Sequence, residues 1–284
     1  MSANGDIPPT VVVTEVDVRG RNDADMKDDV VAGEVPVAMT YNGISHAVMM
    51  ASPADLEDFA LGFSITEGIL RHPGELYDLD LISRTDGIAI DMRISAERFA
   101  DLRQQRRNMT GRTGCGLCGT ESLDKAIRPI PRLSHRSAIS DDAIQQALAG
   151  LREHQPLQAQ TGATHGAAWC SVEGRILDVR EDVGRHNALD KLIGARLKTG
   201  ADASTAFAEG FALISSRASF EMVQKSATVG IGCLVAVSAP TALAISEARK
   251  AGQRLVGFAR PGRHVIYTTG SEPVQTHSEQ EITV

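Results

Sequence analysis

The chain has 284 residues, of which 42% are hydrophobic and 23% charged, and this composition excludes wholesale disorder. Its 29 Lys and Arg against 36 Asp and Glu give a formal net charge of −7, which argues against nucleic acid as a partner. Four cysteines are too few for a disulfide scaffold, and the most apolar stretch, residues 229–239, is too short to cross a membrane. Because the first residues also lack the features of a secretory signal, we expect a cytoplasmic protein that makes no use of a membrane.

The first half of the sequence predicts strands and one main helix. Runs of β-branched or alternating apolar residues predict strands at residues 11–18, 35–41, 44–50, 79–83 and 88–94. Asn42–Gly43 and Asp86–Gly87 are the turn signals of two hairpins. A helix is predicted to begin after Ser52, and Ser95 caps a second, shorter helix. The polar run Arg19–Asp29 predicts an exposed loop.

The second half alternates between strands and helices. Strands are predicted at residues 164–172, 175–179, 211–215, 233–238, 254–258 and 265–269, and helices at residues 185–197, 219–228 and 241–251. Such alternation with short connections predicts a three-layer α/β fold, and the hairpin that opens it makes the sheet mixed. The order β-β-α-β-α-β-α-β is that of the cytidine-deaminase-like fold.

These patterns predict a chain in three parts. Residues 1–135 form a smaller, strand-rich α+β portion with one main helix and a Cys-x-x-Cys loop at residues 111–119. Residues 136–270 form the α/β domain. The last residues, 271–284, have no periodicity and few apolar side chains, so we expect a mobile tail.

The Cys-x-x-Cys loop reads GRTGCGLCG and contains Cys115 and Cys118. Glycine neighbours expose the sulfur atoms, and arginines just upstream can stabilise a thiolate, namely Arg103, Arg106, Arg107 and Arg112. Three interpretations compete, and the one favoured is a nucleophilic cysteine that carries sulfur. A zinc site lacks a second pair of ligands, since Cys170 and Cys233 fall singly in predicted strands. A redox pair of the thioredoxin type lacks its usual place at the start of a helix.

Polar turns follow three of the predicted strands, at residues 181–187, 215–219 and 238–241. Each turn precedes a helix, and the free N–H groups at helix starts favour anions such as phosphate. Helix capping alone would account for Ser219 and Thr241. It explains less well why basic side chains gather at these turns, which are Arg185, His186 and Arg217.

A fourth polar segment follows the last core strand, with the sequence Phe258, Ala259, Arg260, Pro261, Gly262 and Arg263. Two arginines on either side of Pro-Gly suit a rigid turn that grips a phosphate or the edge of a guanine. A solvated basic turn is the alternative.

A zinc-dependent deaminase would share the predicted topology but needs a His-x-Glu or Cys-x-Glu on one helix and Pro-Cys-x-x-Cys on the next. His186 and His165 lack the glutamate two residues later, and the second helix carries neither cysteine. We therefore expect no zinc and no other bound metal.

Six motifs of this chain resemble those of the formate dehydrogenase accessory sulfurtransferase family, FdhD. They are CGLCG (115–119), TGATHGAAW (161–169), EDVGRHNALDKLIG (181–194), SSRASFEMVQKSA (215–227), SAPTALA (238–244) and LVGFARPGR (255–263). The resemblance runs in order from Val35 to Thr269. Ala163 and Ser216 stand where many family members have glycine, and neither departure touches the sulfur chemistry.

The resemblance implies a function, partners and site residues. A cysteine desulfurase would pass sulfane sulfur to Cys115 as a persulfide, with Cys118 relaying the sulfur or releasing it through a disulfide. This sulfurtransferase would deliver the sulfur to the molybdenum (or tungsten) bis-molybdopterin guanine dinucleotide cofactor of the formate dehydrogenase catalytic subunit. The family fold is deaminase-like without zinc and is typically a homodimer.

The resemblance accounts for only some of the expected binding residues. Residues 258–263 match the family segment for the guanine dinucleotide. Arg185, His186 and Arg217 are our own inference as further ligands of its phosphates. The rival interpretation is a non-catalytic chaperone that binds the dinucleotide and never carries sulfur.

Overall fold

The structure is a computed structural model that describes residues 7–20, 24–110, 129–133, 138–198 and 203–270. Cys115, Cys118 and the whole predicted Cys-x-x-Cys loop lie outside the described residues, as does the predicted tail at 271–284. None of the helices within the described ranges is long and apolar enough to span a membrane.

The described strands are β1 (Val11–Arg19), β2 (Ala24–Ala32), β3 (Val35–Tyr41), β4 (Ile44–Ala51), β5 (Leu76–Arg84), β6 (Gly87–Ile94), β7 (His165–Cys170), β8 (Ile176–Asp182), β9 (Phe211–Ile214), β10 (Cys233–Ala236), β11 (Arg254–Arg260) and β12 (Arg263–Thr269). The described helices are α1 (Leu56–Thr66), α2 (Ala96–Thr110), α3 (Asp141–Leu151), α4 (Pro156–Thr161), α5 (Arg185–Lys198), α6 (Ala203–Ala206), α7 (Phe220–Thr228) and α8 (Ala242–Ala251). Short 3₁₀ turns lie at Pro73–Glu75 and Arg152–His154.

Strands β1 and β2 form an exposed antiparallel hairpin, paired from Val11 opposite Ala32 to Arg19 opposite Ala24. The prediction of an exposed loop at residues 19–29 is therefore wrong. A polar run does not exclude a strand here, because both faces of this two-stranded ribbon are largely open to solvent. Charged residues such as Lys27 can then occupy every second position without burial.

Both predicted hairpins of the first half are confirmed and join in a four-stranded sheet with the order β4-β3-β6-β5. Strands β3 and β6 run parallel in its centre. Alternate residues of these strands, including Val37, Met39, Ile88 and Ile90, are buried and belong to the same core cluster as Phe59 of α1. This sheet therefore covers α1 on one side.

The second half forms a mixed six-stranded sheet with the order β12-β11-β10-β9-β7-β8, and its predicted strand–helix order is confirmed. Strands β9, β10 and β11 are parallel, while β7 is antiparallel to both β8 and β9. Strand β8 consequently runs in the same direction as β9, β10 and β11. Their four carboxyl ends therefore share one edge of the sheet, here called the carboxyl edge.

Helices cover both faces of this sheet and give the predicted three layers. On one face α3, which the sequence analysis did not predict, packs Ile144 and Ala147 near Leu213 and Val235. On the other face α5, α7 and α8 belong to a larger buried cluster that also includes α1 and the four-stranded sheet. The division of the chain at residue 135 stays a prediction.

Helices α1 and α5 touch through their backbones. A Cβ atom on Gly62 would overlap the carbonyl oxygen of Asp190, and one on Gly194 would overlap that of Asp58. Only glycine fits at these two positions, so the first portion of the chain is fixed directly against the helix that follows β8.

Candidate functional site

The carboxyl edge brings together the polar segments that the sequence analysis singled out. The N–H of Phe258 donates to the carbonyl of Ser238 at 3.1 Å, which joins the end of β11 to the turn after β10. The N–H of Ala218 donates to the carbonyl of Ala239 at 3.2 Å, which joins that turn to the one after β9. The predicted placement of these turns is therefore confirmed, whereas the roles of their side chains stay predictions.

A buried ion pair holds the junction between β8 and α5. The Nζ of Lys191 lies 2.7 Å from Oδ2 of Asp182, and both side chains are fully buried. Asp182 also accepts hydrogen bonds from the N–H of Ser52 at 3.0 Å, the N–H of Gly184 at 2.7 Å and the side chain of Asn187 at 3.0 Å. Three side chains of the EDVGRHNALDK motif are thus internal supports of the junction, a role that the sequence analysis missed.

Glu181 supports the neighbouring start of β7. Its carboxylate accepts from the N–H groups of Leu157 at 2.9 Å and Gln158 at 2.7 Å, and so caps the first turn of α4. It also accepts from the hydroxyl of Thr164 at 3.0 Å. Because β7 is antiparallel to β8, its first residue, His165, lies at the carboxyl edge. The predicted hairpin would have been enough to place His165 there.

A second buried network joins α5 to α7 and α1. The Nζ of Lys225 donates to Asp190 at 2.9 Å, Glu67 at 2.8 Å and Thr66 at 3.0 Å. Burial lowers the pKa of Lys225, but the two carboxylates outweigh burial and raise this pKa above its ordinary value. Lys225 is therefore a charged internal support.

The first turns of α5 and α7 meet in a cluster of polar side chains, here called the helix-start cluster (Arg185, His186, Ser219 and Glu221). Nε2 of His186 lies 2.7 Å from Oε2 of Glu221. Among the described residues, three buried atoms of this cluster have no hydrogen-bond partner, namely Nε of Arg185, Nε2 of His186 and Oγ of Ser219. The contact between His186 and Glu221 is thus a close approach that is not aligned as a hydrogen bond.

Both histidines at this end of the edge favour the neutral form. Burial lowers the pKa of His186, aided by the charges of Arg185 and Lys225 and opposed by Glu221. Burial also lowers the pKa of His165, and Arg185 adds to this effect. The permanent positive charge next to His186 therefore comes from Arg185 and from the buried Lys225.

Of the two residues that the sequence offers as helix caps, Thr241 and Ser219, only Thr241 caps its helix. The hydroxyl of Thr241 accepts from the N–H of Ala244 at 3.2 Å and so caps α8. Ser219 precedes α7 but makes no such hydrogen bond. Arg217, in the same turn, is exposed. The start of α7 therefore keeps donors that a ligand can use.

The segment 258–263 forms the end of β11 and its turn into β12. Phe258 has a left-handed backbone, with φ of 48°, and its side chain is 37% exposed. The pairing of β11 with β12 shifts between Gly257 and Arg260, so Phe258 lies in a bulge of the hairpin. Ala259 is fully buried, so only its backbone remains available to a ligand.

The rest of the segment is an exposed basic turn, here called the arginine turn (Arg260–Arg263). Arg260 pairs with Arg263 across β11 and β12, and Pro261 and Gly262 between them are also exposed. Four strand intervals separate β11 from β8, which at about 4.8 Å each amount to roughly 19 Å. The arginine turn and the helix-start cluster thus lie at opposite ends of one edge.

The described part of the chain contains no group of three or more His, Cys, Asp or Glu side chains that could hold a metal ion. Cys170 and Cys233 are buried, and burial raises the pKa of each thiol to about 12. Neither thiol is therefore suited to nucleophilic chemistry.

The model of the FdhD/NarQ family matches residues 32–273 of this sequence. The chain belongs to this family. Among its relatives, proteins named sulfur carrier protein FdhD come from Cupriavidus necator, with 52% identity over 268 residues, and from Bordetella petrii, with 50% identity over 242 residues. These alignments cover 94% and 85% of this chain and 91% and 86% of the relatives.

The fold also has a counterpart among solved structures. A crystal structure described as a formate dehydrogenase accessory protein from Desulfotalea psychrophila superposes with a TM-score of 0.69 at 24% identity. The superposition covers 92% of this chain and 98% of the other. This likeness shows that the two proteins share a mixed α/β fold.

Proposed function

We propose that this protein is a sulfur carrier in the maturation of formate dehydrogenase. It takes sulfane sulfur from a cysteine desulfurase as a persulfide on Cys115 and passes it to the molybdenum bis-molybdopterin guanine dinucleotide cofactor of the catalytic subunit. The curated relatives named sulfur carrier protein FdhD, aligned over most of this chain, support the sulfur-carrying role. The binding half of the proposal depends on one observation, the gathering of four polar segments at the carboxyl edge.

Cys115 and Cys118 can carry out the proposed sulfur transfer with atoms and electrons in balance. The thiolate of Cys115 attacks the terminal sulfur of the desulfurase persulfide, and the desulfurase cysteine leaves as a thiolate. Cys118 then relays the sulfur or releases it. In release, the Cys118 thiolate attacks the inner sulfur of the persulfide, a disulfide forms between the two cysteines, and the terminal sulfur leaves as sulfide. The two thiols supply the electrons for that reduction, and a dithiol reductant resets the pair.

The carboxyl edge offers matching groups for a guanine dinucleotide. Arg260 and Arg263 can donate paired hydrogen bonds to a phosphate or to a guanine edge. The exposed ring of Phe258 offers a face for stacking. At the other end, Arg185, His186 and Arg217 surround two helix starts, where N–H groups and the helix dipole favour phosphate.

We also propose a fold type, a cellular location, an oligomeric state and protein partners for this chain. The strand order β8-β7-β9-β10-β11 supports a cytidine-deaminase-like arrangement. We infer that it works without zinc, because His165 and His186 lack the glutamate of the deaminase motif. We infer a cytoplasmic homodimer with a portion at 1–135 and an α/β domain at 136–270. The desulfurase and the formate dehydrogenase subunit are its protein partners.

The test is intact-protein mass after incubation with a cysteine desulfurase and cysteine. We expect a gain of one sulfur atom that dithiothreitol removes, and no gain in Cys115→Ala. Cys170→Ala is the matched control, because this buried thiol should leave the gain unchanged. Binding of GDP without any sulfur gain would support the rival, a non-catalytic chaperone, and would overturn the sulfur-carrier proposal.

A further inference from the structure

The arginine turn has a side-chain anchor on another element. The N–H of Gly262 donates to Oε1 of Gln145 at 2.7 Å, and Gln145 lies 117 positions away in sequence on α3. Among the described residues no other side chain outside the β11–β12 hairpin holds this turn by a hydrogen bond. Helix α3 is the layer on the opposite face of the sheet from α5, so the anchor is independent of the helix-start cluster.

Gln145 is itself held by a chain of hydrogen bonds. Its Nε2 lies 3.2 Å from Nδ1 of His264, and Nε2 of His264 lies 3.1 Å from Oδ1 of Asp141. Because Oε1 of Gln145 accepts from a backbone N–H, its amide nitrogen must face the ring nitrogen as a donor. The ring then accepts at Nδ1 and donates from Nε2 to the carboxylate, an assignment made from the network.

We propose that Gln145 is a positioning residue that fixes the direction in which Arg260 and Arg263 present their guanidinium groups to an anionic ligand. The inference rests on the proposed binding of a guanine dinucleotide at this turn. Gly262 has a left-handed backbone, with φ of 75°, which glycine adopts at little cost and also leaves readily. The hydrogen bond that Gln145 accepts from this amide keeps the turn in one conformation and lowers the ordering cost of binding.

The first test measures GDP affinity by calorimetry in matched variants. Gln145→Leu keeps the volume but removes both hydrogen bonds, and we expect GDP to bind roughly three- to tenfold more weakly. Gln146→Leu is the control, since Gln146 is the exposed neighbour on the same helix. Should Gln145→Leu fail to fold, Gln145→Ala takes its place.

The second test separates positioning from general support of the fold. In a chain carrying Arg260→Ala and Arg263→Ala, Gln145→Leu should cause no further loss of GDP affinity, because it acts only through the arginines. A further loss of the same size in that background would overturn the inference, as would wild-type affinity in Gln145→Leu or an equal loss in Gln146→Leu. If the wild-type protein binds no GDP, the proposed binding function fails instead, and the two failures are distinct.

Discussion

The β8–α5 junction and the arginine turn lie at opposite ends of one sheet edge and hold their charged residues in opposite ways. At the junction, Asp182 and Lys191 are fully buried and surrounded by hydrogen-bond partners. At the turn, Arg260 and Arg263 are exposed, and neither has an ion-pair partner among the described residues. Both segments are rich in charge, yet one charge pattern stabilises the fold and the other remains available to a ligand.

This difference shows that charged motifs at the same sheet edge can have different roles, one in stabilising the fold and the other in binding a ligand. A buried ion pair is costly to break, because removing one partner leaves the other uncompensated. An exposed arginine contributes little to folding and can be removed without unfolding the chain. Substitutions at the two ends should therefore separate stability from binding.

The largest expected effect is on stability, at the junction. Lys191→Met should lower the free energy of unfolding by about 3–5 kcal/mol, because it leaves Asp182 buried without its counter-charge. Urea unfolding measures this loss. Lys198→Met, on the same helix but exposed, is the control and should cost less than about 1 kcal/mol. A loss below about 1 kcal/mol in Lys191→Met would contradict the structural role of the pair.

The next effect is on binding, at the arginine turn. Arg260→Ala and Arg263→Ala should each weaken GDP binding by about tenfold or more, since a hydrogen bond to a charged group contributes roughly 1.5–3 kcal/mol. Their urea midpoints should stay at the wild-type value. Arg175→Ala, exposed in the turn between β7 and β8 at the other edge, is the control. Unchanged affinity in both variants, or affinity insensitive to salt, would place the ligand elsewhere.

A smaller effect concerns the backbone of Phe258. Phe258→Ala removes the ring but keeps a Cβ atom on a residue whose backbone is left-handed, which costs free energy. Phe258→Gly also removes the Cβ atom and so relieves this backbone strain. We expect the glycine variant to be more stable than the alanine variant by about 1 kcal/mol, measured by thermal unfolding. Both should bind GDP more weakly than the wild type. Equal stability of the two variants would mean that the bulge stores no strain.

The smallest expected effect is a dependence of stability on pH. The native pKa values of His165 and His186 are lowered, so the unfolded chain binds more protons as pH falls through the ordinary histidine value of about 6.5. Stability should therefore fall between pH 7.5 and pH 5. Thermal unfolding of the double variant His165→Gln/His186→Gln should show a shallower dependence of stability on pH than the wild type. An unchanged slope in the double variant would refute the assignment.

Much of the fold was predictable because its signals are local. The turn at Asn42–Gly43 and the strand–helix alternation of the second half both appear in the structure. Strand β2 was missed because its charged residues resemble a loop, and only pairing with β1 makes a strand of them. The start of α1 also differs, since Asp55 rather than Ser52 precedes its first turn.

The position of the candidate site was predictable from the sequence. Which of its charged residues stabilise the fold, and which remain available to a ligand, was not. The direction of β8 follows from the hairpin and brings the polar turns to one edge. That Lys191 points inward to Asp182, while Arg185 lies at the helix start, depends on how α5 packs against α1 and the segment at Ser52. Such contacts between distant parts of the chain leave no periodic signal in the sequence.

The contact between Gly62 and Gly194 bears on how the edge receives a ligand. Because the two helix backbones touch there, a side chain at either position would force α5 away from α1, and the buried Asp182–Lys191 pair holds the β8–α5 junction as well. The start of α5 is thus preorganised when the chain folds, and an anion that arrives there meets donors already in position. The long side chains of Arg260 and Arg263 still have to lose rotamer entropy on binding. The start of α5 is therefore fixed in position before the ligand binds, whereas at the arginine turn Gln145 fixes the backbone and the outer parts of the two arginine side chains become ordered on binding.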